Sequence, residues 1–140
     1  KLEQYGARWI ENQKQEAYEI QGTKKNSEAV IQECLRYIHN HLEDTELSVN
    51  QLADQCHMNA IYLNRIFRKE KETSIGQYII QERMHLAARL LLDSGLTAHT
   101  VAEKVGYLNY PYFSTAFKKF YGCSPQKYVE RQEDSHENKD

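Results

Sequence analysis

Apolar positions along the chain fall in three- and four-residue steps, broken at regular intervals by short polar runs. Val30, Ile31, Cys34, Leu35, Tyr37, Ile38 and Leu42 make one helical face, and Ser27 followed by Glu28 suits the start of that helix. After the acidic loop Glu43–Glu46, Ser48 is placed to cap a helix from Val49 to Cys56, and Asn59 to cap a second from Ala60 to about Lys71. The inner side of this second helix is Tyr62, Leu63, Ile66 and Phe67; its outer side offers Ile61, Asn64, Arg65 and Arg68. Ser74 opens the longest run, through Ile75, Tyr78, Ile79, Met84, Leu86, Ala87, Leu90 and Leu91, to a stop at Ser94-Gly95. Its apolar residues cover more than one stripe, as expected of a central helix packed on two sides. Thr97 begins the next helix. Asn109 caps another with Pro111 in its first turn, which ends at Gly122 after Phe120 or Tyr121. Ser124-Pro125 opens a last helix through Tyr128, and the charged residues 131–140 predict a disordered tail.

Ahead of this series, Leu2, Tyr5, Trp9, Ile10, Ala17, Tyr18 and Ile20 are spaced only loosely. They predict a solvated linker helix, or alternatively a dimerising or signal-transmitting one, followed by a break over Gln21–Asn26. The chain begins at Lys1 rather than Met, so residues 1–26 read as a linker from a domain further upstream.

The second half repeats the first. Leu52-Ala53, Cys56 and Met58 stand 49 positions before Val101-Ala102, Val105 and Tyr107; Tyr62-Leu63, Ile66, Phe67-Arg68-Lys69, Ser74 and Tyr78 stand 50 positions before their counterparts at 112 to 128. One unit is therefore written twice, with one extra residue in the second turn. The fold class is all-α: two helix-turn-helix subdomains at about 48–71 and 97–121, joined by a long central helix at about 74–93, within a domain of about 27–130. Six glycines and two prolines in 140 residues fit that reading better than a sheet. At the two turns His57 stands where the copy has Gly106.

Charge locates a face rather than a class. The formal net charge is -2, unusual for a nucleic-acid binder. Yet from Leu47 to Lys71 the basic residues Arg65, Arg68, Lys69 and Lys71 are opposed only by Asp54 and Glu70; from Thr97 to Lys119, Lys104, Lys118 and Lys119 meet only Glu103. A near-neutral chain can thus present one positive face. Arg83, inside the central helix, is expected to pair with a carboxylate. Cys34, Cys56 and Cys123 are odd in number and widely spaced, which suggests neither a disulfide framework nor a zinc site and fits reduced thiols in a cytoplasm. His39 and His41 do not share a helix face, so a charge near the helix C-terminus explains them better than a metal. The six histidines are scattered and no nucleophile motif occurs, so no enzyme, cofactor or metal is expected. No apolar run approaches the roughly 20 residues of a membrane span, and no secretory leader is read.

Tyr62-Leu63-Asn64-Arg65-Ile66-Phe67-Arg68-Lys69, Gln77-Tyr78-Ile79 with Arg83 and Ala87, and Val105-Gly106-Tyr107 followed by Tyr112-Phe113-Ser114, Phe117-Lys118-Lys119, Gly122 and Ser124-Pro125 together resemble the DNA-binding domain of the AraC/XylS family of bacterial transcription regulators. The resemblance covers about Ala29 to Val129. It implies a seven-helix fold whose two recognition helices enter successive major grooves of double-stranded DNA, with RNA polymerase as a further partner. The segment before Asn26 is similar to the connector that follows a phosphorylation-receiver domain; a ligand-sensing upstream domain and homodimerisation stay open. Three departures stand out: Glu72 replaces a frequent glycine, Thr115 a frequently basic residue, and Pro111 a usually polar one.

Within that frame Arg65 suits guanine O6 and N7, Asn64 adenine, and Ile61 a thymine methyl. Tyr110, Ser114 and Thr115 face the second groove with short reach, so that helix is expected mainly to grip the backbone. Asn59, Arg68, Lys69, Asn109, Lys118 and Lys119 are candidate phosphate contacts. Phe67 and Phe117 occupy matched inner positions and are expected in the core rather than stacked on bases. A helical protein-interaction module is the competing class, to be separated by its weak dependence on salt.

Overall fold

Short polar side chains set where the helices begin. Ser48 accepts from the Gln51 amide, Asn59 from those of Ile61 and Tyr62, Thr97 from Thr100, and Asn109 from Tyr112. Each supplies a partner for backbone donors that a helix leaves unpaired in its first turn. The computed structural model describes residues 26–93 and 95–137, and among them all regular structure is helical. Residues 26–40 form α1, followed by α2 (Val49–Gln55), α3 (Ala60–Lys71), α4 (Ile75–Asp93), α5 (Ala98–Lys104), α6 (Tyr110–Tyr121) and α7 (Pro125–Glu137). The predicted linker helix over 1–21 lies outside the described residues, as does most of the break after it.

Three boundaries differ from expectation. Asn26 is already helical, so α1 does not start at Ser27. Cys56 caps α2 at φ -88° and ψ 0° instead of ending it. More substantially, α7 continues past Tyr128 to Glu137, where composition predicts a disordered tail. Tyr128 and Val129 pack against the second core and anchor its first turns. The Glu, Arg and Gln residues that follow are strong helix formers, able to extend a helix once it is anchored.

The central helix divides the interior. Ile75 and Ile79, near its start, join Ile31, Cys34, Ile38, Leu52, Leu63 and Phe67; Met84, Ala87, Ala88 and Leu91 join Val101, Val105, Phe113 and Phe117. Phe67, Phe113 and Phe117 are fully buried, as expected of core residues. Truncation of any of them to alanine would cost about 3–5 kcal/mol.

Between the two cores sits Arg83, only 8% exposed. Its Nη2 donates to the Asp44 carbonyl at 2.7 Å, and its guanidinium carbon lies 5.8 Å from the centre of the Tyr107 ring. The expected carboxylate partner is thus replaced by a backbone carbonyl and an aromatic face. The Asp44 carboxylate itself accepts from the Glu46 amide at 2.9 Å and from Gln51 Nε2 at 3.2 Å. Burial lowers the Arg83 pKa, with Tyr107 and Asp44 acting in the opposite direction. Gly106 is tight against the same joint: a Cβ there would collide with the Leu42 carbonyl and stand 2.7 Å from Arg83 Nη2. Loop 41–47, the centre of α4 and the α5–α6 turn therefore meet at one point, which fixes the second helix-turn-helix against the first.

Candidate nucleic-acid interface

A helix that buries residues i and i+4 turns the residues 100–200° away outward. On α3 the buried pair is Leu63 and Phe67, which leaves Ile61, 73% exposed, with Arg65, Arg68 and Lys69 on the open side. The buried pair of α6, Phe113 and Phe117, exposes Pro111, Thr115, Lys118 and Lys119 at the matched positions. Among the described residues, Arg36 pairs with Glu33 at 3.1 Å and His39 Nε2 lies 3.5 Å from the Glu82 carboxylate, neither contact involving α3 or α6. Among these residues no carboxylate pairs with Arg65, Arg68, Lys69, Lys118 or Lys119, and Arg65 pairs with neither Glu70 nor Asp54. His41 instead stacks on Tyr37 at 3.8 Å and bonds its carbonyl through Nδ1, close to the end of α1.

The remaining expected contacts divide. Asn59 and Asn109 are exposed at the starts of α3 and α6; their side-chain oxygens are held by the caps, and their side-chain amide nitrogens can act only as donors. Asn64 is bonded within the fold. Its Oδ1 accepts from the Ile75 amide at 2.9 Å, tying α3 to the first residue of α4, so the oxygen needed for two-point reading of adenine is engaged. The Tyr110 ring stacks on His99 of α5 at 4.1 Å and 15°. There it lines a groove with Leu91, Leu96 and Val129. Ser114 is half-buried on the flank of α6, and Thr115 is exposed but donates its hydroxyl to the Pro111 carbonyl at 2.9 Å.

Two large exposed side chains escaped the sequence reading. Tyr112 is 71% exposed and Leu108 82%, at the first turn of α6 and just before it. Tyr112 is the counterpart of the half-buried Tyr62, yet it lies open. Helical spacing alone carries the signal, because Tyr112 precedes Thr115 by three and Lys119 by seven and so shares their side.

Comparison with known proteins fits this arrangement. Residues 52–131 match the sequence profile of a helix-turn-helix domain. The chain is 35% identical to the C-terminal domain of AraT, a response regulator from Geobacillus stearothermophilus, with a TM-score of 0.71 over 73% of this chain and 84% of that one.

The chain belongs to the AraC/XylS family.

It is 31% identical over 109 residues to the Msm operon regulatory protein of Streptococcus mutans, covering 78% of this chain and 39% of that protein. The chain spans 13% and 39% of two other curated relatives. It also superposes, at 26% identity and a TM-score of 0.68 over 72% of this chain and 90% of the other, on the DNA-binding domain of AdpA in complex with a target DNA. AraC/XylS proteins are DNA-binding transcription regulators, and this chain carries both of their helix-turn-helix units. Among the described residues no helix is long and apolar enough to cross a membrane. The Glu72 departure is absorbed locally: the residue takes φ 60° and still closes α3 by donating to the Arg68 carbonyl.

Proposed function

We propose that this AraC/XylS domain regulates bacterial transcription by reading double-stranded DNA in successive major grooves, with α3 as the reader and α6 chiefly as an anchor. The observation that carries the reading is the row of exposed cations on α3, none held by a carboxylate among the described residues, on a helix fixed by Asn64 and by the buried Leu63 and Phe67. Arg65 takes a guanine edge and Ile61 a thymine methyl. Ser114 and Thr115 make short contacts in the second groove. Asn59, Arg68, Lys69, Asn109, Lys118 and Lys119 hold phosphates and set register. Asn64 and Tyr110 leave the list of base contacts and become positioning residues. The likeness to AdpA with its target DNA supports the partner, and the likeness to the AraT response regulator supports a receiver domain as the source of the signal. RNA polymerase and a second copy of the intact protein complete the proposed assembly.

Selecting bound duplexes from a random pool tests the scheme. Two boxes about one helical turn apart are expected, the more sharply defined one under α3. Arg65→Ala should cost about 1–3 kcal/mol on the selected site and relax one base position, whereas Lys119→Ala should weaken all duplexes alike and reduce the salt slope by about 1. Equal loss on selected and random DNA after Arg65→Ala would remove α3 from the role of reader. A duplex affinity indifferent to salt would favour a protein-interaction module instead.

A further inference from the structure

Spacing along the chain separates the cysteines, but folding brings two of them together. Cys34, on the buried face of α1, and Cys56, the residue that caps α2, have their Sγ atoms 3.9 Å apart across a separation of 22 positions. Both thiols are free, as is Cys123, which is buried in the second half of the chain. Cys34 is wholly buried while Cys56 is only partly so.

We propose that Cys34 and Cys56 are a modification site for hydroperoxides, closing reversibly into an intramolecular disulfide that ties α1 to the turn leading into α3. The reaction has a fixed order. The partly exposed Cys56 thiolate attacks the peroxide oxygen, giving a sulfenic acid at Cys56 while the peroxide O–O bond breaks and leaves as an alcohol or water. Cys34 sulfur then attacks the Cys56 sulfur, the sulfenyl oxygen departs, and the Cys34 proton goes with it as water. Two thiols lose two electrons in total and the peroxide gains them. Burial first and the neighbouring Cys56 second push the Cys34 pKa up to about 12, so in the reduced protein it stays a thiol and is spared direct attack. Once Cys56 is a sulfenic acid its share of that shift is gone, and Cys34 gives up its proton to the departing oxygen as its sulfur attacks. Closing the bond requires the sulfurs to approach to about 2 Å. The movement falls on the C-terminal cap of the short helix α2, next to the left-handed His57.

The test uses the whole chain treated with a small excess of hydrogen peroxide, then denatured, alkylated with iodoacetamide and analysed by intact mass and peptide mapping. One alkylated cysteine, Cys123, is expected where the untreated protein shows three, with the peptides holding Cys34 and Cys56 linked and released by dithiothreitol. Cys123→Ser should keep the link and Cys56→Ser should abolish it. Because the wild-type map answers the question alone, a variant that folds poorly does not blunt the test. Three alkylated cysteines after peroxide, a sulfinate at Cys56 beside a free Cys34, or a link made only through Cys123 would each show that the two thiols are merely a packed pair.

Discussion

The two halves of this domain close the same corners with different residues. At the turn inside each helix-turn-helix unit the backbone is left-handed, with φ 52° at His57 and 88° at Gly106; after each recognition helix it is left-handed again, with φ 60° at Glu72 and 80° at Gly122. Even the hydrogen bonds agree. Met58 donates to the Ala53 carbonyl at 2.9 Å and Tyr107 to that of Ala102 at 3.0 Å, while Glu72 donates to Arg68 at 2.9 Å and Gly122 to Lys118 at 2.8 Å. Glycine therefore does not create these corners. Packing of two helices around Ala53 or Ala102 demands them, and the first half meets the demand with residues for which a left-handed backbone costs about 1–2 kcal/mol each. The second half has unstrained corners, yet its outward helix face carries Thr115 where the first has Arg65.

The largest expected effect separates the two turns. Gly106→Ala adds a Cβ against the Leu42 carbonyl and the Arg83 guanidinium at a φ that disfavours any side chain, so urea unfolding should show a loss of about 3–5 kcal/mol. At the matched position, His57→Gly removes strain from an exposed residue and should be neutral or stabilising by less than about 1 kcal/mol. If Gly106→Ala cost no more than about 1 kcal/mol, the joint around Arg83 would be yielding. The two units would then not be held in one fixed relation.

A middle-sized effect tests how each recognition helix is seated. Asn64 accepts from the Ile75 amide; the matching positions in the second half are Ser114 and Pro125, and Pro125 has no N–H to donate. Asn64→Ala should cost about 1–2 kcal/mol of stability, since it leaves a helix-start amide without its partner. Ser114→Ala should stay within about 0.5 kcal/mol. Thermal melts of the two variants side by side check the contrast, and similar losses for both would mean that the second helix is seated by a polar contact after all.

What the sequence discloses follows the reach of each interaction. The caps at Ser48, Asn59, Thr97 and Asn109 act within one turn of their own helix, and the apolar steps of α3, α4 and α6 repeat at the helical period, so element starts and the two-sided core are legible. Arg83 finds its carbonyl 39 positions away, Asn64 its amide 11 away and Cys34 its neighbour 22 away. No local pattern encodes those meetings, and an outward-looking polar residue reads the same whether it meets solvent or the start of another helix. The tail shows the converse: α7 looks too polar to fold until Tyr128 and Val129 are seen against the second core. For the interface, the repeat pointed to both helix faces, but the matched pair Tyr62 and Tyr112 differ in exposure.

The smallest contrast concerns the ends of the recognition helices, where conformation can be separated from contact. Nothing lies within 4 Å of a Cβ built on Gly122, so Gly122→Ala measures the left-handed backbone alone and should cost about 1 kcal/mol. Glu72→Gly is the reverse experiment. It releases about 1–2 kcal/mol of left-handed strain but adds about 0.5–1 kcal/mol of unfolded-chain entropy, for a net gain of about 0.5 kcal/mol and a melting temperature higher by roughly 2–4 °C. Charge contributes separately, because an acid at the C-terminus of α3 opposes the helix dipole. Glu72→Ala keeps the backbone cost and removes only the charge, so it should recover less than Glu72→Gly. If the alanine variant matches the glycine one, the charge and not the left-handed corner is what weakens the first half, and the two halves differ in electrostatics rather than in backbone strain.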